Sequence, residues 1–529
     1  MKFNIKEIGK ISVVFINMII AFYAIYRFYF VHVDINIKSE NKNDTYLSVQ
    51  QKLEDFDYLY KVLESSFPFF QVKKDMTKFD WLANKDNFRK NIAQTKNNNE
   101  FYYELQTILN RLQNKHLNIV DYNQRNDLET TYSKVDKSYP WKQILNNSVI
   151  NEKYNMCKDN AYSNSAKQDL VPIKAKYFEG KYIILEKNFQ IPQYSVLTKI
   201  NSLNIDEYVK TLFKKIYLDY DHKRNKWFAK TLPIYSQSSD EIKLTFEYTD
   251  GKTEQKILTD YNTCKMDWNY DYEPLNIKTD IIEENKIAYL KINSFGMEHI
   301  DEDNSILIDF YSKIKDYPYL ILDIRGNSGG ATNYWEKNIV SPLTQKELKY
   351  KNYIAFRNSK YIRPFIIDKM TYHYIFKKKT DSLKLKNRDL TDYGYYYTAE
   401  TIIKKKGNIN FKGKILLLVD ENVYSASESF ASFCKAPKFA TLIGTNTGGD
   451  GIGPDPALLV LPNSGLIIRF PMTLGINSDF TINEEMHTSP DIYIEQSLED
   501  YKKRSVLTKT VKDIARYDTV LRKALELTR

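Results

Sequence analysis

Ser425 is the residue whose sequence setting most favours nucleophilic chemistry. It follows a short apolar run, Ile415 to Val419, which predicts a strand buried on both faces, and it opens an amphipathic stretch predicted as a helix. A serine at such a turn has its hydroxyl beside free backbone N–H groups, here that of Ala426, and beside the positive end of a helix dipole. These groups can stabilise an oxyanion. Ser425 could instead only cap the helix, because Ser425 and Glu428 form a Ser-x-x-Glu capping box.

A glycine-rich turn offers further backbone donors. The apolar residues Tyr319 to Ile324 predict a buried strand that runs directly into Arg325-Gly-Asn-Ser-Gly-Gly330. Glycines let backbone N–H groups approach a ligand closely. Phosphate binding is the obvious rival, but no Gly-Lys-Ser/Thr sequence ends this turn, so a P-loop is not favoured. Arg325 and Asp323 are expected to brace the turn rather than to act on a substrate.

A serine hydroxyl needs a neighbouring base, and two histidines are candidates. His116 follows a predicted helix, where a histidine often interacts only with the helix dipole. His487 lies close to Glu484 in the sequence and is the rival base. The other histidines lie in an apolar N-terminal stretch or in polar surroundings without a motif; they are His32, His222, His299 and His373.

The elements that must position these residues alternate between strand and helix. Ile287 to Ile292 predicts a strand, Ser305 to Ile314 an amphipathic helix, and Tyr319 begins the next strand. The strand at Ile415, the helix after Ser425 and a strand at Thr441 to Gly444 repeat this order. Strand, helix, strand implies a parallel, right-handed crossover unit. The sequence therefore predicts an α/β core over residues 280–500.

The spacing of apolar residues divides the rest of the chain into predicted domains. A three- and four-residue period predicts a helical N-terminal domain over 47–120. A linker and a β-rich module are predicted over 121–270, with the region up to about Lys167 polar and irregular. Residues 350–406 are predicted to form an insertion with strand-like pieces. A basic, solvent-facing helix is predicted over 501–529, starting near Glu499.

The N-terminal residues 1–46 resemble an export signal followed by a linker. Basic residues precede an apolar run from Ile11 to about Val33, which Arg27 interrupts. The run is long enough to cross a bilayer, and no small-x-small cleavage site follows it. We expect an uncleaved membrane anchor with the rest of the chain outside the cytoplasm, in the periplasm or at the cell surface. A cleaved signal, giving a secreted protein, and a buried core helix are the alternatives.

Composition excludes several functions. The formal net charge is +10, but lysines alternate with acidic residues and no basic block dominates, so nucleic acid is not an expected partner. Three scattered cysteines are too few for a disulfide framework or a zinc site. The sequence implies no metal and no organic cofactor.

Together these segments resemble the C-terminal-processing (tail-specific) serine peptidase family, which includes the tricorn core protease and the repeats of interphotoreceptor retinoid-binding protein. The segment Tyr319 to Gly330 is similar to the family's strand and Asp-x-Arg-x-Asn-x-Gly-Gly signature, and Ser425 to Glu428 to its nucleophile motif. Ser489 to Ile494 is similar to its closing Pro-Asp-Ile strand. Leu109 to His116 resembles a helix and histidine of the tricorn-like branch. Residues 171–260 resemble the family's PDZ domain.

The resemblance has two departures. Asp450 stands where the Ser-Lys branch has its lysine base, and an aspartate is too acidic to serve as that base at neutral pH. The tricorn-like branch uses a histidine instead, oriented through a serine and a glutamate. His116 matches that histidine, Lys115 replaces the serine before it, and Glu484 falls where the glutamate is expected.

The resemblance implies hydrolysis of peptide bonds in proteins or peptides. Ser425 would be the nucleophile, His116 its general base and then acid, and Glu484 a more distant orienting group. The N–H of Ala426 and one from the glycine turn would form the oxyanion hole; the resemblance favours Gly329 over Gly330. The PDZ-like module would bind chain ends by strand addition.

A second hypothesis is a decayed member that binds a peptide or another ligand without hydrolysing it. Family relatives include retinoid carriers, and the two departures, Lys115 and Asp450, both fall at catalytic positions. Neither hypothesis identifies the substrate, the preferred termini or the oligomeric state.

Overall fold

The structure is a computed structural model, and it describes residues 25, 27–38, 46–154, 169–185, 191–236, 241–259, 275–385, 388–504 and 510–529. The strands among these residues are β1 Asn118–Ile119, β2 Asp169–Leu170, β3 Ala175–Phe178, β4 Lys181–Ile184, β5 Val196–Ile200, β6 Leu203–Asn204, β7 Asp219–Asp221, β8 Lys226–Phe228, β9 Thr231–Leu232, β10 Tyr235–Ser236, β11 Ile242–Glu247, β12 Thr253–Leu258, β13 Ile277–Glu283, β14 Ile287–Ile292, β15 Tyr319–Asp323, β16 Leu348–Phe356, β17 Lys378–Lys379, β18 Tyr395–Ile403, β19 Lys414–Val419, β20 Thr441–Gly444, β21 Ala457–Val460, β22 Ile467–Phe470, β23 Leu474–Ile476 and β24 Ile492–Tyr493.

The α-helices among the described residues are α1 Val49–Ser66, α2 Phe70–Thr77, α3 Lys85–Gln94, α4 Asn98–Asn110, α5 Tyr122–Ser133, α6 Tyr139–Leu145, α7 Ile205–Thr211, α8 His299–Ile314, α9 Thr332–Trp335, α10 Ser341–Leu343, α11 Arg363–Ile375, α12 Ala426–Lys435, α13 Asn483–Met486, α14 Leu498–Tyr501, α15 Val511–Ile514 and α16 Thr519–Glu526. Arg27–Val31 forms a short π-helix.

A six-stranded sheet in the order β13-β14-β15-β19-β20-β24 forms the centre of the core. All its neighbours pair in parallel except β13, which is antiparallel to β14. Helix α8 connects β14 to β15, and α12 connects β19 to β20, so the predicted α/β fold and its parallel crossover units are confirmed. The carboxyl ends of parallel strands share one edge of a sheet, which is where ligands bind in such folds. The turns after β15 and β19 therefore meet at this edge.

Both faces of the sheet are covered. In β19, Ile415 and Leu417 pack into one apolar cluster, and Leu416 and Leu418 pack into another on the opposite face. The second cluster includes Val520, Leu521 and Ala524 of α16. The prediction of one solvent-facing C-terminal helix is therefore wrong: the end of the chain forms short helices, and their apolar side chains cover the sheet.

The N-terminal domain is helical, as predicted. Helices α1 to α4 bury aromatic and aliphatic side chains around Phe56 and Trp81. A capping box of Ser48 and Gln51 starts α1. The polar region that follows differs from the prediction, because α5 and α6 form within the expected linker. Their residues Tyr132 and Trp141 stack against each other with ring centroids 5.1 Å apart and join the same apolar cluster.

The β-rich module contains a sheet in the order β12-β11-β5-β4-β3-β9, with β6 also paired to β5. It has an apolar cluster of its own. The strands that begin near Tyr182, Val196 and Ile242 are β4, β5 and β11, and α7 lies between β5 and β11 in the chain. Its likeness to a PDZ domain stays a prediction.

Two small sheets complete the core. The insertion predicted over 350–406 contributes β16, β17 and β18, which pair with β23 in the order β17-β18-β16-β23. Strands β21 and β22 form an antiparallel hairpin. Strand β1 of the N-terminal part adds to this hairpin, with Asn118 opposite Arg469. This pairing brings the segment after His116 to the catalytic core.

No helix within the described residues is long and apolar enough to cross a bilayer. Most of the predicted anchor, from Ile11 to Val33, lies outside the described residues.

Candidate active site

Ser425 occupies the turn between β19 and α12 with a strained backbone. Its φ of 57° and ψ of −123° lie in a region that non-glycine residues rarely adopt, and such strain clusters at active sites. Its side chain makes no capping hydrogen bond. Glu428 points elsewhere and accepts hydrogen bonds from Asn483 and Thr488, each at 2.6 Å. The capping-box alternative is therefore wrong, and the Ser425 hydroxyl is available for chemistry.

His116 lies beside this hydroxyl. Its Nε2 atom is 3.1 Å from Ser425 Oγ, and its ring lies 4.7 Å from the ring of Tyr424. The backbone N–H of His116 donates to the side-chain oxygen of Asn114 at 3.0 Å. The pairing of β1 with β22 fixes the next residues of the chain. This is the contact that a histidine needs to accept a proton from serine.

Asp450 completes a row of contacts that runs from a serine through a histidine to a carboxylate. Its Oδ2 atom is 2.8 Å from Nδ1 of His116 and also accepts from Asn114 Nδ2 at 3.0 Å and from the Tyr424 hydroxyl at 3.2 Å. The carboxylate in contact with the histidine is therefore Asp450, which was not predicted to have this role; Glu484 was predicted only as a more distant orienting group. A carboxylate on Nδ1 fixes the tautomer in which Nε2 can accept a proton.

Glu484 belongs to the same cluster but is connected to His116 only through Asn114. Its Oε1 atom accepts from Asn114 Nδ2 at 3.0 Å and lies 2.5 Å from Lys73 Nζ of α2. The single amide group of Asn114 thus bridges the two carboxylates. Lys73 supplies the nearest positive charge, and its side chain is only 5% exposed.

Burial and charge set the protonation states. Burial lowers the pKa of His116 below its ordinary value, although the negative charge of Asp450 opposes this. Burial alone would raise the pKa of Asp450, but the charge and hydrogen bond of His116 hold it below the usual range. Burial raises the pKa of Glu484 to about 7, against the lowering effect of Lys73. At neutral pH the arrangement is a neutral histidine beside an ionised aspartate.

The glycine turn reaches Ser425 directly. A Cβ atom at Gly329, where φ is +112°, would meet the N atom of Ala426 at 3.0 Å. The N–H of Gly329 donates to Asn327 Oδ1 at 3.0 Å, whereas the N–H of Gly330 has no acceptor among the described residues. The N–H of Ala426 is at the first position of α12, where no acceptor within the helix exists. Among the described residues, the N–H groups of Ala426 and Gly330 thus lack an acceptor, whereas the N–H of Gly329 donates to Asn327.

The turn is braced as predicted. Arg325 lies 2.6 Å from Asp323 and 2.8 Å from Asp518, which precedes α16. Ser427 donates to Asn327 Oδ1 at 2.6 Å, which ties the glycine turn to the start of α12. These contacts hold the glycine turn against the start of α12.

The rival base is placed differently. The His487 ring lies 4.5 Å from the ring of His222, and a Cβ atom at Gly449 would meet it at 2.7 Å. Its Nδ1 atom is buried without a hydrogen-bond partner among the described residues. Burial lowers the pKa of His487 well below its ordinary value. No hydrogen bond between His487 and Ser425 exists in the described part of the chain.

The β-rich module holds the loop that carries His116. The amide of Gln113, at a φ of +45°, donates to the carbonyls of Phe213 and Ile216, each at 2.9 Å, and accepts from the N–H of Leu218 at 2.8 Å. Lys115 lies 2.8 Å from Asp219 of β7, and its Nζ atom lies 5.5 Å from the ring centroid of Tyr424.

Sequence reasoning missed Asp450, Asn114 and Lys73 as members of this cluster. The signal for Asp450 was present, because it stands where the resembling family has a catalytic residue. The signals for Asn114 and Lys73 were absent, because their relation to the site depends on how distant segments pack.

Comparison with known proteins agrees with this fold. Residues 286–494 match the family model described as Peptidase family S41; this range contains Ser425, Asp450 and Glu484 but not His116. A search of curated proteins found no match.

Solved structures align with most of the chain. A crystal structure of mature CPAF covers 91% of this chain and 98% of its own, with 12% identity and a TM-score of 0.55. Mature CPAF complexed with lactacystin covers 91% and 99%, with 11% identity and a TM-score of 0.54. The photosystem II D1 C-terminal processing protease covers 85% and 94%, with 11% identity and a TM-score of 0.38. The likeness to CPAF shows a shared mixed α/β fold.

Proposed function

We propose that this chain is a serine peptidase in which Ser425 is the nucleophile, His116 the general base and Asp450 the carboxylate that orients it. The observation that carries the proposal is the continuous chain of contacts from Ser425 Oγ to His116 Nε2, at 3.1 Å, and from His116 Nδ1 to Asp450, at 2.8 Å. The match of residues 286–494 to Peptidase family S41 supports the same activity.

The reaction follows from this geometry. His116 accepts the hydroxyl proton as Ser425 Oγ attacks the peptide carbonyl, and the N–H groups of Ala426 and Gly330 stabilise the oxyanion. His116 then gives the proton to the leaving amine. Water attacks the resulting ester by the same route and restores the serine. Asp450 stays ionised and stabilises the charged imidazole throughout.

The proposed substrates are proteins or peptides, and the enzyme would hydrolyse their internal peptide bonds. The β-rich module supports this, because its edge strand β12 is largely exposed and has a neighbour, β11, on one side only. An extended segment could add to such an edge by backbone hydrogen bonds. The module also supports His116 through Gln113, so substrate capture and catalysis use the same unit.

The two departures that suggested a decayed binding protein are both compatible with activity. Asp450 replaces a lysine base but contacts a histidine base instead. Lys115 replaces a serine relay but pairs with Asp219, while Asp450 contacts His116 without a relay. The contacts of both residues therefore favour the peptidase over the binding protein.

We also propose that the protein lies outside the cytoplasm and that its N-terminal apolar run anchors it to the membrane. The π-helix Arg27–Val31 lies in the last part of that run and packs against α11. Large apolar side chains exposed on these two elements, or directly after α11, are Tyr29, Phe30, Tyr372, Ile375 and Phe376. Aromatic side chains are enriched at bilayer interfaces, so this side of the molecule fits a position next to the membrane.

Membrane fractionation tests the location. The full-length protein is expected to stay in the membrane fraction after a carbonate wash. Release of the full-length chain, or of a shortened soluble form, would contradict the anchor; the shortened form would show a cleaved signal.

Digestion of an unfolded protein tests the activity. The wild type is expected to produce new termini detectable by mass spectrometry, and Ser425→Ala is expected to produce none. Ser429→Ala, on the same helix, is the matched control and should cleave normally. Equal cleavage by wild type and Ser425→Ala would contradict the proposal.

A further inference from the structure

Asp518 connects the C-terminal segment of the chain to the glycine turn. It precedes α16, and its two carboxylate oxygens accept from the two terminal nitrogens of Arg325, at 2.9 and 2.8 Å. The Arg325 side chain also donates to both carboxylate oxygens of Asp323, at 2.9 and 2.6 Å. The guanidinium therefore makes paired hydrogen bonds to a carboxylate on each side, which is the strongest way in which an arginine binds carboxylates.

This ion-pair network is largely shielded from water. The exposed fraction of the side chain is 20% for Arg325, 13% for Asp518 and 2% for Asp323. Burial alone would raise the pKa of Asp518, but the charge and hydrogen bonds of Arg325 hold it below its usual range, so the carboxylate is ionised at neutral pH. Exposed ion pairs contribute little, whereas removing one partner of a buried pair leaves the other charge uncompensated. The loss of Asp518 would therefore disturb Arg325.

Two other contacts hold the middle of the turn to the segment that carries the nucleophile. The Ser427 hydroxyl donates to the side chain of Asn327 at 2.6 Å, and the N–H of Gly326 donates to Asp420 at 2.9 Å. Ser427 and Asp420 lie within the range that matches Peptidase family S41, whereas Asp518 lies beyond this range. The C-terminal segment thus contacts the start of the turn.

The segment that carries Asp518 is docked on the core without the help of Arg325. Val520 and Leu521 pack into the apolar cluster on the sheet, and the Thr519 hydroxyl donates to Asp500 at 2.7 Å. The Asp518 side chain also accepts from the N–H of Leu521 at 2.9 Å and so caps α16. The carboxylate is therefore held in place as a fixed partner for the guanidinium.

We infer that Asp518 is a positioning residue for the oxyanion hole, which acts through Arg325 on the backbone of the glycine turn. The N–H of Gly330, a proposed oxyanion donor, belongs to this turn, and a displacement of about 1 Å is enough to weaken catalysis. The catalytic unit thus extends beyond the residues that match Peptidase family S41 and requires a docked C-terminal segment. This inference rests on the proposed peptidase activity and adds a residue on which that activity depends.

Asp518→Asn in the full-length protein tests the inference, because asparagine keeps the size and the helix cap but places N–H donors against the guanidinium. With a short peptide as substrate, kcat should fall about tenfold or more, while KM changes less than about twofold. Arg325→Lys should give a similar loss, and it carries the same test if Asp518→Asn does not fold. The double variant should lose scarcely more than either single variant, because both break one contact.

Thr519→Val is the matched control. It removes hydrogen bonds that dock the same segment, to Asp500 and from the N–H of Ser497, but leaves Asp518 and Arg325 in place. Its kcat should stay within about twofold of the wild type. Equal losses in Thr519→Val and Asp518→Asn would show that only the docking of the segment matters and would overturn the inference.

A peptide aldehyde of the same sequence reports on the oxyanion hole itself. Ser425 Oγ adds to the aldehyde carbon, the hydroxyl proton passes to His116, and the carbonyl oxygen becomes the oxyanion of the adduct. The inhibition constant should therefore rise in Asp518→Asn by about the factor by which kcat/KM falls, with the apparent pKa of His116 unchanged. An unchanged kcat in Asp518→Asn, or a lower kcat with unchanged aldehyde inhibition, would overturn the inference. A wild type that hydrolyses no peptide would contradict the peptidase activity itself.

Discussion

Asp450 lies 2.8 Å from the Nδ1 atom of His116, although 334 positions separate the two residues in the chain. Asp450 belongs to the loop after β20, and His116 to the loop after α4, so the contact exists only because the helical domain packs on the core. At the position where the Ser-Lys branch has its lysine base, this chain has an aspartate that contacts a histidine. In the proposed mechanism, the histidine replaces the lysine as the base for Ser425.

Removing the Asp450 charge should disable the site without displacing it. Asp450→Asn is expected to lower kcat by about 10³- to 10⁴-fold, because the amide favours the wrong histidine tautomer. Glu484→Gln is the matched comparison, and its loss should be far smaller, since Glu484 reaches His116 only through Asn114. A larger loss in Glu484→Gln than in Asp450→Asn would restore the sequence-based assignment of Glu484.

The pH dependence should report His116. Activity should rise with pH through an apparent pKa below about 6.5, because the base must be neutral and burial lowers its pKa. Asp450 raises and Arg469 lowers the pKa of His116. The apparent pKa should therefore fall in Asp450→Asn and rise in Arg469→Met, as measured from kcat/KM profiles. Shifts in the same direction would show that His116 is not the group being titrated.

The glycine turn should tolerate no side chain at Gly330. A Cβ atom there would meet the carbonyl oxygen of Phe295 at 2.2 Å, so Gly330→Ala must displace the turn and its N–H. We expect a loss of about 10²- to 10³-fold in kcat. Gly326→Ala is the control, because its φ is also positive, at +83°, while no atom lies within 4 Å of the added Cβ. Comparable losses in both variants would assign the effect to backbone strain alone.

The β-rich module should contribute to turnover through Gln113. Gln113→Leu removes the hydrogen bonds to the carbonyls of Phe213 and Ile216 and from the N–H of Leu218. Because these bonds hold the His116 loop, we expect kcat to fall about tenfold or more with little change in KM for a short peptide. Gln193→Leu, which removes one bond inside the module, should leave kcat unchanged. A rise in KM alone would mean that the module only binds substrate.

Local patterns were enough to predict the core. The alternating buried residues of β19 and the turn at Ser425 are encoded within a dozen consecutive residues. The same holds for the glycine turn after β15. Patterns of this kind can be recognised because they do not depend on how distant segments of the chain pack.

Features that depend on distant packing were not predictable. The polar sequence of α5 buries only Arg125 and Tyr132 and so resembled a linker. The C-terminal residues looked solvent-facing because the sheet face they cover is built by strands far earlier in the chain. The hydrogen bond from the N–H of Gly329 to the side chain of Asn327 was not predictable for a similar reason, and Gly329 as an oxyanion donor stays a prediction.

Labelling with a fluorophosphonate probe tests the central claim most directly, because the probe needs an activated serine and an oxyanion hole but no known substrate. We predict labelling of the wild type at Ser425, none in Ser425→Ala, and a rate reduced about 10³-fold or more in His116→Ala and Asp450→Asn. His487→Ala should label at nearly the wild-type rate, since its ring contacts His222 and Gly449 rather than Ser425. An unlabelled wild type, or labelling that survives in His116→Ala but is lost in His487→Ala, would contradict the account.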